Sequence, residues 1–85
     1  MRKIQELFGA EVRRLRERKG LSQEDFADEA GIHRTYVSSI ELGKVQVSIG
    51  VAHKLATALG VPLSKVWKRI ETQLAEGRPN QDRAP

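Results

Sequence analysis

The side chains best suited to chemistry lie close together, between residues 33 and 44. Arg34 carries a planar fork of donors that matches guanine O6 and N7, and such a contact is worth about 1–3 kcal/mol of discrimination between bases. Thr35 can bond a base edge or a phosphate, and Ser38 and Ser39 are small enough to let a helix lie deep in a groove. The stretch predicts recognition of DNA by these residues: His33, Arg34, Thr35, Tyr36, Ser38, Ser39 and Lys44.

Tyr36 and Gln23 are two further candidates for contact with DNA, and Tyr36 has an alternative role. Tyr36 could stack on a base or bond a phosphate, or it could be a partly buried ring. Gln23 precedes an apolar helical pattern, where its amide could bond a phosphate beside free backbone N–H groups.

The residue types of the chain give little support for catalysis or metal binding. A nucleophilic mechanism needs a Ser or Cys beside a base that an acid orients, yet the chain has no cysteine and its serines fit helix caps or the recognition face. His33 and His53 are far apart and have no further ligands at a recognised metal spacing. We therefore predict neither an enzyme nor a bound metal or cofactor, with His33 near a helix start and His53 at the surface.

Two helices around a glycine must position the recognition residues. Apolar residues recur at helical spacing on both sides of Gly31, which can take a positive φ at a sharp turn. The spacing predicts a short helix that runs to about Glu29, a turn over residues 30–32 and a second helix over residues 33–42. A helix, a glycine turn and a polar second helix are typical of a helix-turn-helix that reads the major groove.

The remaining sequence predicts three more helices and an all-α fold. The first runs from Ile4 to Lys19, and Ser22 and Ser48 are N-caps for the second and fourth. The fourth has an apolar face of Ile49, Ala52, Leu55, Ala56 and Leu59; the fifth begins near Pro62 and presents Leu63, Val66, Trp67, Ile70 and Leu74. We expect one DNA-binding and dimerisation domain over residues 1–76 and a flexible tail over residues 77–85.

The composition is compatible with binding to a polyanionic partner but does not require it. The 85 residues carry a formal net charge of +4, which suits DNA but also fits an ordinary solvated surface. The acidic residues Glu24, Asp25, Asp28 and Glu29 cluster in the second helix, where the first two suit the helix dipole. No apolar run reaches the roughly 18 residues of a membrane span, so we expect a cytoplasmic protein.

The residues from Leu15 to Leu59 resemble the Xre/Cro/cI class of helix-turn-helix regulators. The segments LSQEDFA, AGIHRTYVSSIELGK and ALGVPL carry the likeness, which implies a five-helix lambda-repressor-like fold. The triplet Arg34-Thr35-Tyr36 is similar to that of restriction–modification controller proteins, so the resemblance implies a small dimer that binds operator DNA through these positions. Residues 44–47 depart from the class because a basic residue is not followed there by proline.

The resemblance also implies an internal ion pair between Arg16 and Glu41. Such a pair would orient the first helix against the third, and loss of one partner of a buried pair costs about 3–5 kcal/mol.

A single helix-turn-helix contacts few base pairs, so we expect a homodimer on two half-sites about 34 Å apart. The fifth helix offers a seam of Leu63, Val66, Trp67 and Ile70, although Trp67 could instead fill the core. An activator would also contact RNA polymerase. The alternative function is a protein-interaction module, such as an antitoxin or adaptor, for which the acidic second helix would be suited.

Overall fold

A computed structural model describes residues 3–76 as five helices with short connections and, over that range, no strand. The helices are α1 (Ile4–Lys19), α2 (Gln23–Ala30), α3 (Arg34–Glu41), α4 (Ile49–Leu59) and α5 (Leu63–Glu76). The predicted all-α fold is confirmed. The predicted tail at residues 77–85 lies outside the described residues.

Local hydrogen bonds set the ends of the two central helices. Ser22 Oγ accepts from the backbone N–H of Asp25 at 3.0 Å, which caps α2 as predicted. The chain leaves α2 through Gly31, whose φ of 73° an L side chain rarely adopts. Helix α2 therefore includes Ala30, one residue beyond the prediction. His33 is the N-cap of α3 rather than its first residue.

One apolar core joins all five helices. Helix α1 packs against α3, α4 and α5, and α2 packs against α3 and α4. Phe26 of α2 and Ile70 of α5 are both 0% exposed. The other large side chains that are almost wholly buried are Val12, Val37, Ile40, Leu55 and Val66. The core thus holds α3 against α1 and α2.

Helices α1 and α3 approach each other closely at Gly9. A Cβ atom built there would lie 2.0 Å from the backbone oxygen of Ile40 and 2.9 Å from that of Glu41. Only glycine fits such a crossing, because atoms in ordinary contact are much farther apart. This contact sets the distance between α1 and the helix that carries the recognition residues.

The predicted dimer seam is wrong for two of its four residues. Val66 is 2% exposed and Ile70 0% exposed within one protomer, so neither has surface left for a partner. They lie on the inner side of α5, where the core covers them. Trp67 is 37% exposed and its ring centroid lies 5.8 Å from that of Phe8, while Leu63 is half-buried.

The predicted apolar face of α4 is wrong for its first residue. Ile49 is 84% exposed, whereas Ala52, Leu55, Ala56 and Leu59 are buried as expected. Ile49 occupies the first turn of the helix, beyond the neighbours that cover the later turns.

Candidate nucleic-acid interface

Helix α3 divides into a buried side and an open side. Val37 and Ile40 are each 1% exposed and anchor the helix to the core. Arg34 and Thr35 are exposed in the first turn, and Ser38 and Ser39 are half-buried along the same side of the helix. The open side therefore begins with long and branched polar side chains and continues with two small ones, which is a shape that can enter a groove.

Two residues border this open side. Tyr36 is half-buried and packs against the core, which agrees with the partly buried reading and still leaves part of the ring exposed. His33 Nδ1 accepts from the backbone N–H of Thr35 at 3.3 Å. The neutral imidazole then carries its proton on Nε2, so an exposed donor stands at the N-terminus of α3.

A hydrogen-bonded network underlies the end of α3. Arg16 donates from Nε to Glu41 Oε2 at 2.6 Å and from the second guanidinium nitrogen to Oε1 at 3.0 Å. Its remaining nitrogen donates to the backbone oxygen of Leu21 at 2.8 Å. Gln23 Nε2 donates to Glu41 Oε1 at 3.0 Å. The carboxylate of Glu41 thus links α1, the start of α2 and the end of α3, and Arg16 extends the network to the loop before α2.

This network determines the electrostatics of the site. Glu41 is 8% exposed and carries a negative charge at the C-terminus of α3, where the helix dipole disfavours it. Arg16 compensates that charge. Its hydrogen bonds to Glu41 raise the pKa of the Arg16 guanidinium above its usual value, with help from the charges of Glu41 and Glu17 and against the effect of burial. Arg16 consequently remains charged at any ordinary pH.

Gln23 has a different role from the one that its position alone predicts. Its amide is already held by Glu41, so it is a member of the network. A second N–H of the same amide stays available to a phosphate. The predicted phosphate contact thus remains a prediction, now with a fixed orientation of the donor.

The loop after α3 supplies Lys44, whose side chain is exposed. The backbone N–H of Lys44 donates to Ser39 O at 3.0 Å, which holds the start of the loop against the end of α3. The structure therefore places His33, Arg34, Thr35, Ser38 and Ser39 on one helix, with Tyr36 at its edge and Lys44 immediately after it.

The described residues offer neither a metal site nor a membrane-spanning helix. Among residues 3–76 no three His, Asp or Glu side chains group in a way that could hold a metal ion. His53 is exposed on α4. None of the five described helices is long and apolar enough to cross a membrane.

Comparison with known proteins identifies the fold and its class. Residues 12–66 match the family model described as "Helix-turn-helix". The chain belongs to the helix-turn-helix family. The match includes the whole of α2, α3 and α4 and the second half of α1, so it covers the network and the open side of α3 together. The protein is a DNA-binding transcriptional regulator, as the resemblance to the Xre/Cro/cI class predicted.

Within the helix-turn-helix family the chain is similar to control proteins. It is 42% identical over 74 residues to control protein C.MunI of Mycoplasma sp, which covers 86% of this chain and all of that one. It is 46% identical over 59 residues to control protein C.BamHI of Bacillus amyloliquefaciens, covering 68% and 73% of the two chains. The crystal structure of the restriction–modification controller protein C.AhdI of Aeromonas hydrophila superposes with a TM-score of 0.71 at 42% identity, over 73% of this chain and 94% of that chain.

Two contributions to this helix-turn-helix domain escape sequence reasoning. Gly9 lies inside a helical pattern, which is itself a signal of close packing, but nothing in the sequence identifies its neighbour. Glu11 is 4% exposed and accepts from Arg14 at 2.7 and 3.0 Å. Glu11 stands among the basic residues of α1, and nothing in the local sequence marks it as the acid that is buried.

Proposed function

We propose that the protein is a homodimeric controller of restriction–modification genes that binds a two-fold symmetric operator. The observation that carries the proposal is the similarity to control protein C.MunI, which extends over the entire length of that protein. The likeness to the controller C.AhdI, whose chain is matched over 94% of its length, supports it independently. We expect a cytoplasmic protein without catalytic activity.

In the proposed mechanism α3 enters the major groove with its first turn leading. Arg34 reads a guanine through its paired donors, and Thr35 bonds a neighbouring base edge or touches a thymine methyl group. Ser38 and Ser39 allow close approach. Phosphate contacts from Gln23, His33 and Lys44 fix the position of the helix on the duplex without reading sequence.

The network of Arg16, Gln23 and Glu41 supports this mechanism indirectly. The guanidinium of Arg16 neutralises the carboxylate of Glu41 at the C-terminus of α3. An uncompensated negative charge on the recognition helix would be unfavourable close to DNA. The network also holds the Gln23 amide in one orientation relative to α3. The phosphate donor and the base-reading side chains are therefore positioned as one unit.

The dimer seam that we propose contains Trp67 and Leu63 but extends to α1 rather than deeper into α5. Trp67 lines a shallow groove of about 190 Å³ together with Ile4, Gln5, Phe8, Gln46, Val47 and Ala52. Ile4 is 49% exposed at one side of this groove. Exposed apolar side chains of this size favour burial against a partner.

Selection of bound sequences from a random pool of double-stranded DNA tests the proposal. We expect enrichment of a two-fold symmetric motif whose half-sites are about one helical turn apart. Enrichment of an asymmetric motif would contradict the homodimer, and no enrichment would favour the protein-interaction module. If the protein activates its target genes, it also contacts RNA polymerase, which a reporter with purified polymerase would reveal.

A further inference from the structure

A strongly basic groove lies between α1 and α5. Leu15 forms part of its floor. Six cationic side chains line it, and one of them, Lys19, donates to the backbone oxygen of Ala58 at 3.0 Å. We define the basic groove by the other five: Arg14, Arg18, Lys65, Lys68 and Arg69. Neither the proposed DNA contacts nor the proposed dimer seam uses any of these residues.

The basic groove faces away from the recognition helix. Gly9 and Arg16 of α1 both contact α3. At 3.6 residues per turn, Arg14 and Arg18 lie roughly 160° around the helix from Arg16. The groove therefore lies on the side of α1 opposite the recognition helix.

The positive charge of the groove is mostly uncompensated. Glu11 is the carboxylate that lines it, and this acid is already occupied by Arg14 at 2.7 Å and by Arg69 at 3.8 Å. Arg18, Lys65 and Lys68 form no ion pair with any residue between 3 and 76. Lys65 stands in the first turn of α5, where the helix dipole disfavours a cation.

Helix α2 carries the opposite charge, and its acidic side chains are likewise uncompensated by ion pairs among the described residues. Its four acidic residues Glu24, Asp25, Asp28 and Glu29 are all exposed, and none has an ion-pair partner among the described residues. Glu24 and Asp28 are four residues apart, as are Asp25 and Glu29, and like charges at this spacing destabilise a helix. Asp28 and Glu29 also stand near its C-terminus, where the dipole disfavours them. We define these four side chains as the acidic face.

We propose that the acidic face of one copy of this chain docks in the basic groove of another copy. Within the protomer, both surfaces carry charges that are unpaired or oppose a helix dipole. The contact would compensate these charges. Their lengths are similar, because the eight residues of α2 span about 12 Å and the nine α1 residues from Glu11 to Lys19 about 14 Å at a rise of 1.5 Å per residue. The contact is head-to-tail, so it can link one dimer to the next.

The strength of the contact follows from its chemistry. Exposed ion pairs contribute little individually, so we expect a dissociation constant on the order of 1 mM between free molecules. Two dimers held side by side have an effective concentration in that range, which makes the contact significant there. It weakens with salt, because the charges are exposed and screened.

Nuclear magnetic resonance in the absence of DNA tests the proposal separately from operator recognition. We expect the backbone amide signals of α2 and of the basic groove to shift as the protein concentration rises from about 0.05 to 1 mM, and the shifts to vanish at about 0.5 M salt. An acid-reversed variant, Glu24→Lys with Asp28→Lys, and a groove-reversed variant, Lys65→Glu with Lys68→Glu, should each lose the concentration dependence. An equimolar mixture of the two should regain it, since each supplies a surface that complements the other.

Matched controls reverse charge elsewhere on the same kinds of helix. Lys54→Glu on α4 and Glu71→Lys on α5 change exposed residues outside both surfaces and should leave the concentration dependence intact. Circular dichroism establishes that all variants are folded. Shifts that persist in both reversed variants would overturn the proposal, and so would a mixture that fails to regain them. Groove signals that move only when an unrelated duplex is added would assign the groove to DNA instead.

Discussion

At the scale of single residues, Glu41 connects the recognition helix to the rest of the protein. Its carboxylate accepts from Arg16 and Gln23, which come from two other helices. No described buried side-chain donor or acceptor is left without a partner, so the network is complete. Removing its charge leaves Arg16 buried without compensation, and that is costlier than losing an exposed pair.

Glu41→Gln should lower the free energy of unfolding by about 3 kcal/mol. The amide cannot neutralise Arg16, and its NH₂ group would oppose a donor of Arg16 or Gln23. Chemical denaturation followed by circular dichroism measures the change. Glu71→Gln is the matched control, because Glu71 is an exposed acid on α5 with no ion-pair partner among the described residues, and it should change stability by less than about 0.5 kcal/mol. Equal effects of the two substitutions would contradict a structural role for the network.

Arg34→Ala should relax sequence preference at one base position in each half-site. Loss of a bidentate contact to guanine removes about 1–3 kcal/mol of discrimination at that position. Binding titrations on the selected operator and on single-base variants measure it. Lys44→Ala is the comparison, since loss of a phosphate contact should weaken binding to all these duplexes alike and reduce its salt dependence. Uniform weakening by Arg34→Ala would make Arg34 a phosphate anchor.

At the scale of the elements, the crossing of α1 and α3 depends on Gly9. Gly9→Ala places a methyl group against the backbone oxygens of Ile40 and Glu41, and neither helix can yield without displacing the core. The gain in helix propensity is at most about 1 kcal/mol, whereas overpacking costs about 1–3 kcal/mol. We expect net destabilisation of about 1–2 kcal/mol and weaker operator binding, because α3 moves.

The control for this prediction is Gly50→Ala in α4. Its added Cβ would meet only Ser48 Oγ at 3.9 Å, so the substitution should be neutral or stabilise the protein by about 0.5 kcal/mol. Thermal unfolding of both variants provides the comparison. Similar behaviour of the two would show that α1 can shift at the crossing.

The elements also show what can be derived from the sequence and what cannot. Serine and glycine caps carry strong local signals, so the helix boundaries agree with the prediction to within one or two residues. The apolar arc of α5 spans roughly 100° from Val66 to Trp67, and the sequence does not say which edge faces the chain's own core. Val66 and Ile70 proved to be inside and Trp67 at the rim. Ile49 has core periodicity but no neighbour to cover it, which depends on tertiary structure alone.

At the scale of the whole molecule, dimerisation depends on the groove that Ile4 and Trp67 border. Trp67→Glu should convert the dimer to a monomer, because a charge in the seam would be buried without a partner. The ring is 37% exposed and already contacts Phe8, so some loss of stability accompanies the change. Ile4→Asp provides a second variant with less effect on the core, since Ile4 is 49% exposed in the first turn of α1.

Ile49→Asp is the control for the seam, because Ile49 is the most exposed large apolar side chain described, at 84%, and does not line the groove. Sedimentation equilibrium at micromolar concentration should show monomers for the two seam variants and dimers for this control. Operator binding adds a second measurement: a monomer should bind a single half-site as well as the wild-type protomer does, but lose the gain from two half-sites in phase. Monomers produced by Ile49→Asp alone would move the seam to the start of α4.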